Sequence, residues 1–309
     1  MVRRLTLCCA FLCCCAFLFC LTATTFAQRN YPPELPGSKS YIYKTVGDVK
    51  LSLYAYSPKD HQATDRVPCA VFFFGGGWTN GSPQQFEQQC RYLASRGLVA
   101  ITADYRVGSR HNVKAVDCVK DAKSAIRWVR EHAGELGIDP DKVIAGGGSA
   151  GGHLAACAGV ITEFDEPTEN AKISSRPNAL VLFNPAVSFT PPTDPVRKKQ
   201  ADGLAGRIGV APERLSPAHH VVKDLPATLI LIGSDDFLIE GNREFMGKMQ
   251  AAGNRCELDL YDGRSHGFFN YGRGSHADFK ATTASMDRFL TTLGYLQGPP
   301  SVDAFFADK

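Results

Sequence analysis

Between residues 69 and 261 the chain repeats one pattern: a short, mostly apolar run, a polar loop, then a stretch of helical period. The runs are 69–74, 98–103, 142–145, 178–183, 227–232 and 256–261. Apolar residues without alternation suit strands buried on both faces, as in a parallel sheet covered by helices. Ahead of them, 41–46 and 49–56 flank Gly47-Asp48, a turn pair, and read as a hairpin. Eight strands are therefore expected. Val116, Val119, Ile126 and Val129 recur at helical spacing within 114–132, and Phe86, Cys90, Leu93 and Ala94 do so before Gly97. Further helices are expected over 151–161, 242–252 and 276–293. Repeated strand–helix alternation predicts an α/β fold, with helices on both faces of a mostly parallel eight-stranded sheet. Two stretches, 162–177 and 186–222, are rich in Pro, Gly and charge and long for plain loops. They read as excursions above the sheet, forming a small cap that shapes a substrate pocket.

The N-terminus reads as an address. Arg3 and Arg4 precede an uncharged apolar run over 5–21, and Thr25-Phe26-Ala27 offers small residues where a signal peptidase cuts. The expectation is a signal peptide over 1–27, a single domain over 28–309, and a secreted or periplasmic protein with no stable membrane insertion after cleavage. The rival, an uncleaved anchor, needs a span at the short limit for a bilayer. The whole chain carries 34 Lys and Arg against 31 Asp and Glu. That balance gives no reason to expect a nucleic-acid partner. Of 11 cysteines, six precede residue 28. The others, Cys69, Cys90, Cys118, Cys157 and Cys256, are scattered without a C-x-x-C pair, so neither a metal nor a redox site is expected. One disulfide is compatible with export, but the sequence does not choose a pair.

Chemistry concentrates in three places. Gly146-Gly147-Gly148-Ser149-Ala150-Gly151-Gly152 follows an apolar strand and opens an apolar helix, and within it 147–151 satisfies G-x-S-x-G. Small neighbours let a serine project from a strained strand-to-helix turn, at a helix N-terminus that favours developing negative charge. A phosphate loop would need Gly-Lys-Ser/Thr, and there is no lysine here. Gly75-Gly76-Gly77-Trp78, past an earlier strand, lets backbone N–H groups approach an oxyanion. Asp235-Asp236 and Ser265-His266-Gly267 lie past the last two strands. A serine hydroxyl needs a base, and the base needs a carboxylate to fix its tautomer.

Together these elements resemble the hormone-sensitive-lipase-like esterases and bacterial acetyl esterases of the α/β-hydrolase superfamily. The resemblance runs from about Val67 to Leu293. It adds Asp104-Tyr105-Arg106 and Ser216-Pro217 to the motifs above. It implies Ser149 as nucleophile, Asp236 as acid and His266 as base. It also implies oxyanion donors from the backbone of Gly76, Gly77 and Ala150, with Asp104 and Arg106 bracing that loop. No cofactor or metal is implied. The family usually has His directly before the three glycines; here it is Phe74, which cannot supply the same side-chain hydrogen bonds.

The resulting expectation is a serine carboxylic-ester hydrolase acting through an acyl-enzyme on a small-molecule or carbohydrate ester, with short acyl groups and acetylated sugars foremost. The alternatives are a serine peptidase of the same superfamily and an inactive binding protein on this scaffold. Trp78 could stack on a sugar face or pack internally. The oligomeric state is not legible.

Overall fold

A computed structural model describes residues 31–189, 206–273 and 276–307. The expected leader (1–27) and the cap residues Arg197, Lys198 and Lys199 lie outside them.

The eight strands are β1 (Lys39–Val46), β2 (Val49–Tyr56), β3 (Val67–Phe73), β4 (Val99–Ala103), β5 (Ile138–Gly148), β6 (Ala179–Phe183), β7 (Ala227–Gly233) and β8 (Cys256–Tyr261). They form one sheet in the order β1-β2-β4-β3-β5-β6-β7-β8. β1 and β2 pair antiparallel, as do β2 and β4; every other pairing is parallel. The runs therefore mark parallel strands, buried as expected from β3 to β7; β8, at the sheet edge, departs from this, with only Cys256 buried and Leu260 exposed.

The side-chain period of two divides these strands between two cores. Cys69, Val71 and Phe73 of β3, Leu180 and Leu182 of β6, and Ile230 and Ile232 of β7 belong to one. Ala70 and Phe72, Val181 and Phe183, and Leu229 and Leu231 belong to the other. The first core is completed by α3 (Ala115–Glu131), α5 (Ala150–Val160) and α6 (Ile239–Ala251). The second is completed by α1 (Glu87–Ser95), α7 (Ala277–Thr292) and the short α8 (Val302–Phe305). Two one-turn helices, α2 (Gly108–His111) and α4 (Ala133–Leu136), flank α3. Every residue of α5 is buried, which fits its uniformly apolar and small composition.

The two irregular stretches part company. Residues 162–177 do not shape the cavity described below. They are tied to α3, where Arg127 pairs with Asp165 and Glu169 and the Lys123 ammonium lies 2.9 Å from Asp165. Arg127 and Lys123 are nearly buried, so their charges recruit the acidic residues of 162–177 as partners. From 186–222, by contrast, Ala186 and Arg207 do line the cavity. The five cysteines are all free and buried, so no disulfide forms among the described residues. Burial pushes their thiols up, Cys256 to about 12.

Candidate active site

Ser149 directly follows β5 and caps α5 with φ 52° and ψ −115°. A non-glycine residue in that region stores on the order of 1–3 kcal/mol of strain and needs surroundings that enforce it. The enforcement comes from both sides. Its N–H donates to the Phe183 carbonyl of β6 (2.9 Å), and its carbonyl accepts from the N–H of His153 (2.9 Å). Gly151 makes the turn possible: a Cβ there would overlap the Phe73 carbonyl of β3.

His266 follows β8 and Asp236 follows β7. The Ser149 Oγ lies 2.9 Å from His266 Nε2, and His266 Nδ1 lies 2.9 and 3.0 Å from the two carboxylate oxygens of Asp236. Asp236 is 1% exposed and also accepts from the N–H of Leu238 (2.9 Å). Asp235 points elsewhere, is exposed, and takes the hydroxyl of Ser234. The fold thus brings Ser149, His266 and Asp236 into one hydrogen-bonded chain and leaves Asp235 out of it. Asp236 as carboxylate partner means that His266 Nδ1 carries the proton and Nε2 is free to accept one from Ser149.

The loop after β3 lies beside the serine. The N–H groups of Gly76, Gly77 and Ala150 have no acceptor among the described residues, and all three residues line the same cavity as Ser149 and His266. Gly76 has φ 123°, where a side chain would collide with Asn80. The cavity holds about 390 Å³ and is also lined by Trp78, Gln85, Asn184, Phe237, Phe269 and Asn270.

A model of the α/β-hydrolase fold family matches residues 70–270. The chain belongs to the α/β-hydrolase family. Its fold superposes on esterase 2 of Thermogutta terrifontis, phosphonylated by sarin, with a TM-score of 0.84 and 49% identity, covering 87% of this chain and 99% of that one. A butyrate-bound form of the same esterase gives a TM-score of 0.82 and 50% identity, with the same coverage. Among curated proteins, the probable isoprenylcysteine alpha-carbonyl methylesterase ICMEL1 of Arabidopsis thaliana is 28% identical over 74% of this chain. The carboxylic ester hydrolase LipN of Mycobacterium tuberculosis is 30% identical over 70% of it. The match spans only 50% and 60% of those two proteins.

For an α/β-hydrolase with Phe74 before the glycines, the question is what holds the loop. Phe74 is fully buried and stacks on Tyr105, with centroids 4.1 Å apart. The Tyr105 hydroxyl donates to the Phe74 carbonyl (2.7 Å). Bracing therefore runs through Tyr105, whereas Arg106 reaches Asp121 of α3 instead (2.8 Å). Gln85 accepts from the N–H of Gly75 (2.6 Å) and donates to Asn270 (2.7 Å), tying the glycine loop to the His266 loop. Trp78 is nearly buried, and its indole N–H donates to His153 Nδ1 (3.2 Å), while His153 Nε2 donates to the Leu215 carbonyl (2.7 Å). Trp78 is thus committed to internal packing. Asn184, just past β6, accepts from the N–H of Gly267 (3.0 Å). Sequence reasoning had no role for Gln85, His153 or Asn184. For Asn184 a signal existed: a polar residue directly after a buried strand end.

Proposed function

We propose that the chain is a serine carboxylic-ester hydrolase for short acyl esters, with Ser149 as nucleophile, His266 as general base and Asp236 as its orienting acid. The observation that carries this is the Ser149 Oγ–His266 Nε2 hydrogen bond beside three N–H groups with no acceptor among the described residues. Ser149 Oγ attacks the ester carbonyl as His266 Nε2 takes its proton. The new oxyanion is met by the N–H groups of Gly76, Gly77 and Ala150. Collapse breaks the bond to the alcohol oxygen, which leaves with the proton from His266. Water, deprotonated by the same imidazole, then releases the acid from Ser149.

A short acyl group suits the enclosed floor. Phe269 lies against Gly148, where any Cβ would meet its ring, and packs on Phe86 and Phe183. The Thermogutta esterase in its propionate- and butyrate-bound forms supports the same size class. Carbohydrate hydroxyls are the alcohol component we favour, a reading that follows from the expected leader over 1–27, which would put the enzyme where polymers and oligosaccharides are found.

An aryl phosphonate should add one equivalent of phosphonyl group to Ser149 by intact-protein and peptide mass spectrometry, and none to Ser149→Ala. Acetate and butyrate esters should be cleaved faster than palmitate. A protein that takes the label yet cleaves only amides would be a peptidase; one that takes no label would be an inactive scaffold. Export is checked separately: mature protein recovered from outside the cytoplasm should begin at Gln28, and a chain still starting at Met1 would favour an anchor.

A further inference from the structure

We propose that the cavity selects esters whose alcohol carries a carboxylate, with Arg207 and Arg273 as the groups that receive it. This rests on the esterase reading and narrows its substrate class, from acetylated sugars in general to acidic ones such as acetylated uronic acids.

Both arginines line the cavity that holds Ser149, and both are exposed. They stand on different walls. A guanidinium nitrogen of Arg207 lies beside the α-carbon of Gly77, close enough that a Cβ there would be 2.9 Å away. Arg273 donates to the His266 carbonyl (2.7 Å) and covers Gly267. Neither has a carboxylate partner among the described residues. No Asp or Glu is among the described residues lining the cavity; Asp236 is buried behind His266. Two cations at one mouth, neither paired with a carboxylate among the described residues, raise the local concentration of anions. The guanidinium fork fits a carboxylate in a way that an ammonium does not.

A third donor points the same way. Asn184 is fully buried and lines the cavity, and its Nδ2 has no acceptor among the described residues, although its Oδ1 is satisfied by Gly267. A leftover donor favours an acceptor-rich ligand. The alcohol side is favoured over the acyl side because His266 must protonate the leaving oxygen. The leaving group therefore lies toward the His266 loop, where Arg273 is fixed.

The test compares phenyl acetate with 3-acetoxybenzoate and 3-(trimethylammonio)phenyl acetate, each kcat/KM divided by the ester's hydroxide-catalysed rate. The carboxylate ester should be preferred over the neutral one by about tenfold, mostly through KM, and the cationic ester should fall below it. The preference should shrink as ionic strength rises from about 0.02 M to about 0.5 M, as expected for exposed charges. In Arg207→Gln and Arg273→Gln the carboxylate-to-neutral ratio should drop toward one; using a ratio removes any general loss of folding or turnover. Equal rates for the neutral and carboxylate esters would overturn the proposal while leaving the esterase intact. So would a ratio unchanged in both variants. Absence of phenyl acetate hydrolysis together with absence of the phosphonate label would instead overturn the esterase reading itself.

Discussion

Asp236→Asn should lower kcat on short esters by on the order of 10⁴-fold, while Asp235→Asn should stay within about twofold of the parent. The two side chains are neighbours in sequence with opposite surroundings. Asp236 is 1% exposed and places both oxygens within 3.0 Å of His266 Nδ1. An asparagine there can offer its amide N–H to Nδ1, which selects the tautomer carrying its proton on Nε2. That proton would face Ser149 Oγ, and the imidazole could no longer accept the serine's. The substituted amide also cannot stabilise the imidazolium that forms. Among the described residues, the exposed Asp235 carboxylate meets the Ser234 hydroxyl. Steady-state rates of the two variants, with circular dichroism to check folding, decide the matter; a crippled Asp235→Asn beside an active Asp236→Asn would overturn the assignment.

His153 should make the protein lose stability on mild acidification. It is fully buried, and burial lowers its pKa to about 4 from the usual 6.5. The hydrogen-bond geometry agrees, because Nδ1 accepts from Trp78 and a second ring proton would face the indole N–H. The unfolded chain takes up this proton below pH 6.5, whereas the folded chain refuses it until about pH 4. The contribution is therefore full above pH 6.5 and is lost as pH falls toward 4, by on the order of 3 kcal/mol. His153→Phe removes the titrating group together with the Trp78 and Leu215 bonds. The variant should be less stable than the parent at pH 8, and the gap should narrow by that amount by pH 4. Urea titrations across the range measure the gap; a gap constant with pH would show that His153 does not carry the effect.

The sheet was legible because its inner parallel strands are buried on both faces, so runs such as 179–183 carry no polar residue, whereas the edge strand β8 alternates and is largely unburied. Boundaries were less so. β5 begins at Ile138, well before the apolar run, because Val67 of β3 pairs with it there across an irregular register. α6 begins three residues earlier than its periodicity suggested, where the Asp236 carboxylate accepts from the N–H of Leu238 and the chain turns at once into the helix. The serine, acid and histidine were readable because each follows a strand and their residue types are restrictive. Gln85 and His153 were not. A glutamine before a helix is unremarkable in sequence, and its contacts with Gly75 and Asn270 span 10 and 185 residues. His153 is adjacent to the serine turn, but its partners Trp78 and Leu215 lie 75 and 62 residues away.

The three members of the Ser149–His266–Asp236 chain sit at the ends of β5, β8 and β7, and 117 residues separate the serine from the histidine. None of the three strands is joined to another by a hairpin, so their pairings are among the costly long loop closures of folding. A slip of one residue in any of these parallel registers would carry the attached side chain to the opposite face of the sheet. Helix content can recover during refolding without this condition being met, whereas the ability of Ser149 to react cannot. The reactivity of one hydroxyl thus reports whether the half of the sheet from β5 to β8 has closed in register.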